Sequence, residues 1–224
     1  SDVSVSYAEA KELLSRRFFC EQEQHTIGFM ALPDLKNTVP ILSDALLQEY
    51  AARLLNYIQA FNRNMVAETL RDLQNRLYNA SDSITSIKLF LADLYLQIKE
   101  QMNHLYSNVS IPFSSNADII RFIEEKYYLY EIVLFFTEQF EIIMSAIGNS
   151  TRDSVLDDIL HYINHNYASN ITLENIAPLF GYNSSYLGKI FSKKMGENFN
   201  SYVDHIRIEK SKELLLKEDM KVYS

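Results

Sequence analysis

Apolar residues between positions 171 and 196 recur at helical spacing in two short blocks. Their members are Leu173, Ile176, Ala177 and Phe180, followed by Leu187, Ile190 and Phe191. Gly181 separates the two blocks and tolerates the positive φ of a tight turn without steric cost. The pattern predicts a helix, a turn at Gly181, and a second helix that begins near Asn183 or Ser184.

The second predicted helix carries a short polar and basic face opposite its apolar residues. This face consists of Ser184, Ser185, Gly188, Lys189 and Ser192. Between positions 175 and 196 the sequence has no acidic residue, whereas Lys189, Lys193 and Lys194 add positive charge. A helix that enters the major groove of DNA needs such a face, and DNA phosphates attract the lysines. The small residue Ala177 would permit the close helix crossing of a helix-turn-helix.

The candidate DNA-binding residues lie on this helix, over positions 183–195. They are Asn183, Ser184, Ser185, Tyr186, Lys189, Lys193 and Lys194. Serine and asparagine side chains donate to or accept from base edges, and Lys189 could bind a guanine edge or a phosphate. Lys193 and Lys194 are expected to contact phosphates. The alternative interpretation is a solvated helix face in a three-helix domain that does not bind DNA.

Two residues depart from helix-forming preferences. Gly188 lies inside the second helix, where glycine costs about 1 kcal/mol relative to alanine. It therefore indicates the close approach of another helix or of DNA. Pro178 lies inside the first helix, where it removes a backbone donor at a cost of roughly 3 kcal/mol. We expect the first helix to be kinked there, or to begin at a different position.

Residues 155–216 resemble the first half of an AraC-type DNA-binding domain. The matching motifs are IA-x3-GY-x3-YL-x2-IF-x3-MG and FNSYVDHIRIEKSKELL. The second motif resembles the long connecting helix of that family, whose core positions correspond to Arg207, Ile208, Ser211, Leu214 and Leu215. The resemblance implies a bacterial transcription regulator. Family members carry a second helix-turn-helix after the connecting helix, and we expect that second unit to be absent from this chain. Either the chain is a fragment, or the second unit was lost or never present.

Residues 6–19, SYAEAKELLSRRFF, are predicted to form an amphipathic helix with a capping box of Ser6 and Glu9. The segment resembles a stretch that precedes the DNA-binding part of YesN-like response regulators. That resemblance implies the output portion of a two-component system, with an upstream receiver domain and a histidine kinase as partners. The sequence itself shows no receiver pattern.

Helical periodicity continues through the first 148 residues. The predicted helices span 41–61, 65–78, 84–106 and 117–147, and a short extended piece is expected at 26–30, before a connector at 32–40. The helix at 117–147 has apolar side chains on more than one face, so it must be covered on several sides. Its partners could be the monomer core, a dimer seam, or a ligand in an aromatic-walled pocket. The residues of that pocket would be Phe122, Tyr127, Tyr128 and Tyr130.

Helical periodicity throughout, with only 5 Gly and 4 Pro in 224 residues, predicts an all-α protein. We expect two domains. Residues 1–148 would form a helical regulatory and dimerisation domain, and residues 149–224 the AraC-type helix-turn-helix domain, with a boundary at 148–153. A helix at 155–167, with Val155, Leu156, Ile159, Leu160, Ile163 and Tyr167 inward, would support the helix pair.

The net charge is −8 at pH 7, of which residues 1–151 contribute −7 and the remainder −1. The acidity therefore lies mainly outside the candidate DNA-binding region. A nearly neutral DNA-binding domain predicts weak, salt-sensitive binding by one copy. A homodimer that reads two half-sites would compensate for this weakness.

The remaining candidate chemistry is sparse. Asp157, His161 and His165 recur every four residues, but no further ligand accompanies them, so we expect no metal and no cofactor. The single cysteine, Cys20, is expected to pack in the interior and is typical of a reducing cytoplasm. No signal pattern and no membrane-spanning run is visible. The sequence has no glycine-rich phosphate loop and no nucleophile elbow, which argues against an enzyme.

These observations together predict a sequence-specific, DNA-binding transcription regulator. Its expected partners are double-stranded DNA and a second copy of the chain, with RNA polymerase as a further candidate and no membrane. The alternative is a helical module that senses a ligand or a protein, and whose DNA-binding half is incompetent alone.

Overall fold

A computed structural model describes residues 2–21, 24, 38–148 and 155–217. Every regular element in these ranges is helical, and the all-α prediction is confirmed. The α-helices are α1 (Asp2–Ser15), α2 (Asp44–Gln59), α3 (Arg63–Tyr78), α4 (Ile84–Leu105), α5 (Asn116–Glu125), α6 (Leu129–Ile147), α7 (Val155–Asn166), α8 (Leu173–Ile176), α9 (Ser184–Met195) and α10 (Phe199–Lys217). Short 3₁₀ helices span Arg17–Phe19 and Ala177–Phe180. None of the described helices combines the length and the apolar character needed to cross a bilayer.

The chain divides into two compact units. The first contains Ser1–Ile58 and Arg63–Ile147, and the second contains Gln59–Asn62 and Gly148–Ser224. Inside the second unit, Asn62 Nδ2 donates to the carbonyl of Leu179 at 2.7 Å.

Large side chains from α2, α3, α4 and α6 are fully buried in the first unit. They include Tyr50, Leu54, Leu70, Leu77, Ile87, Tyr95, Phe136 and Phe140. The Tyr95 ring stacks on Phe140 with centroids 6.2 Å apart. Its hydroxyl donates to Gln139 Oε1 at 3.0 Å, so the buried polar atom is satisfied. Burial raises the pKa of Tyr95, because the charged phenolate is disfavoured in an apolar core.

The expectation of one helix over 117–147 is wrong. Helix α5 ends at Glu125, and Lys126 has an extended backbone. Glu131 Oε2 then accepts the backbone N–H groups of Tyr127 and Tyr128, at 3.2 and 3.1 Å, just before α6 begins. A side-chain carboxylate that satisfies unpaired donors at a helix start favours a new helix over continuation of the old one.

The aromatic residues proposed for a common pocket make different ring contacts. Tyr127 is 75% exposed. Phe122 packs against Phe135 with ring centroids 4.3 Å apart, whereas Tyr128 stacks on Tyr130 at 5.4 Å. The first contact joins α5 to α6, and the second joins the start of α6 to the residue before it.

Helix α1 begins four residues earlier than expected. Ser6 and Glu9 therefore lie inside α1 and do not form its N-terminal capping box. Neither proline nor glycine lies between Asp2 and Ser6, so nothing local stops the helix there. The extended piece expected at 26–30 lies outside the described residues, as does most of the boundary at 148–153.

Candidate nucleic-acid interface

An apolar core holds α7, α8, α9 and α10 together. Its buried members include Ile159, Tyr162, Ile163, Ile176, Ala177, Leu187, Phe191, Phe199 and Val203. Helix α7 contributes Tyr162, which was not among the residues expected inside, whereas Val155 is 42% exposed, contrary to expectation. The spacing of apolar residues predicts the buried face of a helix only to within about one residue. The side chains that pack against α7 therefore determine which of its residues are buried.

The first helix of the pair changes type after one turn. Thr172 caps α8 in a capping box: its side chain accepts from the backbone N–H of Asn175, and Asn175 Oδ1 accepts from the backbone N–H of Thr172 at 2.8 Å. The chain continues as the 3₁₀ helix Ala177–Phe180, with Pro178 near its start. There the missing N–H of proline is tolerated, because the first donors of a helix have no internal partner. The structure therefore accommodates Pro178 by a change of helix type, where a kink or a different helix start was expected.

Gly181 ends this helix in the left-handed conformation, with φ 77° and ψ 21°. The backbone N–H of Tyr182 donates to the carbonyl of Ala177 at 2.9 Å and closes the turn. Helix α9 starts at Ser184, and Asn183 caps it by accepting the N–H of Tyr186 at 2.8 Å. The expected glycine turn and the expected helix start are both confirmed.

Helix α9 buries Leu187 and Phe191 and presents its polar side to the surface. All five residues of the expected polar face line one shallow groove of about 710 Å³. They are Ser184, Ser185, Gly188, Lys189 and Ser192. Ser185, Lys189 and Ser192 are exposed, so these side chains of the polar face are accessible to solvent.

The other candidate residues are exposed but lie outside the lining of the groove. Tyr186 stacks on Tyr182 with ring centroids 5.6 Å apart. Asn183 uses its Oδ1 as the helix cap. Lys193 and Lys194 occupy the last turn of α9, where positive charge complements the helix dipole.

Gly188 lies where α9 crosses α8. A Cβ atom at this position would lie 3.0 Å from Leu173 Cδ1, which is closer than ordinary van der Waals contact. Two causes were considered for this glycine, the close approach of another helix and that of DNA. The structure shows the first, because α8 lies against Gly188.

Two residues of the groove were missed by the sequence analysis. Glu174, in the first turn of α8, brings a carboxylate into the lining, and Asn198 also lines the groove. Asn198 Oδ1 accepts the backbone N–H of Ser201 at 3.0 Å, at the start of α10. The groove therefore joins the polar face of α9 to the N-terminus of α10, whose unpaired N–H groups and dipole favour anions. An N-cap residue before a helical run is a sequence signal that could have indicated Asn198.

Arg207 fastens α10 to the turn that follows α7. Its Nε donates to the carbonyl of Tyr167 at 2.9 Å, and its Nη2 donates to the carbonyl of Ser169 at 3.0 Å. Further along α10, the apolar side chains of Ile208, Leu214 and Leu215 are exposed. The part of α10 before Arg207 therefore belongs to the core, and the part after it is a surface helix.

The histidines of α7 pack on each other. The rings of His161 and His165 lie 4.3 Å apart, and His165 Nδ1 is 2.9 Å from the carbonyl of His161. Within the described ranges, no group of three or more His, Cys, Asp or Glu residues is placed to hold a metal ion.

Parts of this chain are similar to proteins of known class. It is 37% identical over 79 residues to the HTH-type transcriptional regulator YtdP of Bacillus subtilis, covering 35% of this chain and 10% of that protein. It is 36% identical over 83 residues to the HTH-type transcriptional regulator YijO of Escherichia coli, covering 37% of this chain and 29% of that protein. It is 35% identical over 92 residues to the lactose operon transcription activator of Staphylococcus xylosus, covering 40% and 32%.

The chain thus spans about a third or less of the length of these relatives. No family model matches the chain, and no solved structure is significantly similar to it. The similarity to helix-turn-helix transcriptional regulators agrees with the helix, glycine turn and helix at positions 173–195.

Proposed function

We propose that this protein is a DNA-binding transcription regulator of the AraC type that inserts α9 into the major groove. The observation that carries the proposal is the division of α9 into two faces. Leu187 and Phe191 are held in the core, while Ser185, Lys189 and Ser192 remain exposed in one groove. A helix of this length and polarity fits the width of the major groove.

Different residues would have different roles on DNA. Ser184, Ser185 and Lys189, at the start of α9, would meet base edges and supply sequence preference. Asn183 and Tyr186 would support this contact from the first turn, with the Asn183 cap fixing the start of the helix. Lys193 and Lys194 would neutralise phosphates and set affinity without sequence preference.

The groove also favours one position for the DNA backbone. Glu174 would repel a phosphate, whereas the N-terminus of α10 behind Asn198 would attract one. A phosphate should therefore lie nearer to Asn198 than to Glu174.

The wider role follows from the family resemblance. The first unit would pair two chains, so that the dimer reads two half-sites in the cytoplasm, where the DNA is. A receiver domain phosphorylated by a histidine kinase would control the pairing, and RNA polymerase would be the downstream partner. The chain would act as a regulator and not as an enzyme.

Fluorescence anisotropy with duplex DNA from the protein's own promoter region, measured across salt concentrations, tests the proposal. Replacing Lys193 and Lys194 by alanine should reduce the slope of log affinity against log salt by about 1.8, since each phosphate contact contributes about 0.9. The Lys189→Ala variant should lose preference for the promoter over random duplex.

The matched control is the double variant Lys210→Ala, Lys212→Ala. These lysines lie on α10, where they pair with Glu213 and Glu209, and their removal changes the net charge equally. Equal loss of slope in both double variants would rule out α9 as the DNA-binding helix. If this chain does not bind the duplex but a longer chain that contains it does, the alternative is favoured. That alternative is a sensing module whose DNA-binding half is incompetent alone.

A further inference from the structure

A buried arginine in the first unit takes no part in the proposed DNA site. Arg16 lies between α1 and the 3₁₀ helix Arg17–Phe19 and is only 6% exposed. Arginine is almost never this buried unless its charge is matched by a partner. The groups around this guanidinium therefore indicate which kind of partner it could bind.

The fold holds the guanidinium plane in place. Nη2 donates to the carbonyl of Tyr78, the last residue of α3, where backbone carbonyls lack helical partners. The guanidinium carbon lies 4.2 Å from the ring centroid of Phe19 and 5.1 Å from that of Tyr78. Cation–π contacts and a helix C-terminus stabilise the positive charge and orient the side chain.

These contacts do not satisfy the Nε–H group of Arg16. Arg16 Nε is buried and has no hydrogen-bond partner among the described residues. Burial lowers the pKa of Arg16, and the nearby Tyr78 and Glu12 oppose this shift. A buried N–H without an acceptor is costly, about 1–3 kcal/mol, so an acceptor from outside the described residues would be favoured.

A cavity of about 210 Å³ lies at this position. Its lining includes Arg16, Phe19, Glu21, Gln24, Gln74 and Asn75. The volume corresponds to roughly seven water molecules in the liquid, which is enough for a small organic molecule. The three amide side chains can donate and accept hydrogen bonds, and Phe19 offers an apolar wall.

We propose that this cavity binds a small monocarboxylate, whose carboxylate accepts a hydrogen bond from Arg16 Nε. A planar carboxylate matches the edge of the planar guanidinium, whose orientation the two rings help to fix. Glu21 lines the same cavity and would repel a dianionic phosphate more strongly than a singly charged ligand. The carboxylate of Glu21 would accept a hydrogen bond from a hydroxyl or ammonium group elsewhere on the ligand.

The Arg16 Nε–H signal in ¹⁵N NMR spectra of the whole chain tests the proposal directly. Acetate should shift this signal saturably. Acetamide, which has nearly the same shape but no charge, should leave it in place. A shift that never saturates, an equal shift with acetamide, or tighter binding of inorganic phosphate would overturn the assignment to a monocarboxylate.

Two variants separate binding from folding. Asn75→Asp adds a negative charge to the lining with almost no change in shape, and it should weaken acetate binding about tenfold. The control Asn103→Asp makes the same change at an exposed position of α4 outside the cavity, and it should leave acetate binding unchanged. Equal affinities of the two variants for acetate would refute the site.

Discussion

Tyr162 shows how one side chain can make the second unit sensitive to pH. Its ring is 5% exposed within the core shared by α7, α9 and α10, and it contacts Phe180 edge to face. Burial raises the pKa of Tyr162 to about 12, since the phenolate would lose its hydration. The unfolded chain should ionise near the ordinary value of about 10.

We predict that the second unit loses stability above pH 10 because of this residue. Below pH 10 the phenol is neutral in both states, and the full stability is present. Between pH 10 and 12 the unfolded state ionises first, so the free energy of unfolding should fall by about 1.4 kcal/mol per pH unit. The Tyr162→Phe variant lacks the ionising group and should show a flatter profile in this window.

Denaturant unfolding followed by circular dichroism at pH 8, 10 and 11 measures the difference. All other ionisable groups are the same in both proteins, so their effects cancel in the comparison. Parallel profiles for the two proteins would show that Tyr162 is not buried as described.

The turn at Gly181 determines how α9 is presented. It joins the 3₁₀ helix Ala177–Phe180 to the Asn183 cap of α9. The backbone conformation of Gly181 therefore sets the orientation of α9 relative to the preceding helix. A Cβ atom at Gly181 would meet no other atom within 4 Å. The requirement for glycine therefore comes from the backbone conformation and not from crowding.

We predict that Gly181→Ala lowers the free energy of unfolding by about 1–2 kcal/mol, because an L side chain disfavours φ 77°. Gly181→Asn should cost less, since asparagine adopts this conformation more readily. Chemical denaturation of both variants measures these costs. Similar costs for alanine and asparagine would argue against a backbone cause.

At the scale of the whole molecule, the charge is unevenly distributed. The chain has a net charge of −8, and residues 152–224 contribute only −1 of it. The lysines of α9 thus act in a nearly neutral unit, next to Glu174 in the same groove. One copy should bind duplex DNA weakly, because phosphate contacts supply most of the non-specific affinity.

We predict that two copies bind together to a promoter duplex with two half-sites. Sedimentation equilibrium should then give a protein mass near twice 26.1 kDa on the DNA, with cooperative loading. Deleting one half-site should lower the affinity of the protein for the duplex by far more than a factor of two. Saturation at a single 26.1 kDa chain per duplex would contradict the dimer.

Local backbone signals explain which parts of the site were predictable. Gly181, the Asn183 cap and the polar face of α9 each depend on residues within about one helical turn. The break at 126–128 was missed, because its stabilising group, the Glu131 carboxylate, sits in an otherwise apolar helical run. The positions of Glu174 and Asn198 in the groove were missed because they lie on other helices.

The sequence by itself determined the helical class, the ends of α9 and the face of α9 that stays polar, since these follow from periodicity, capping and the conformational freedom of glycine. Tertiary structure alone decided that Tyr162 and not Val155 is buried on α7, that Glu174 and Asn198 face α9, and that Arg16 borders a cavity beside the end of α3. The physical reason is that these arrangements depend on packing between helices that are distant in sequence, where no local preference specifies the partner.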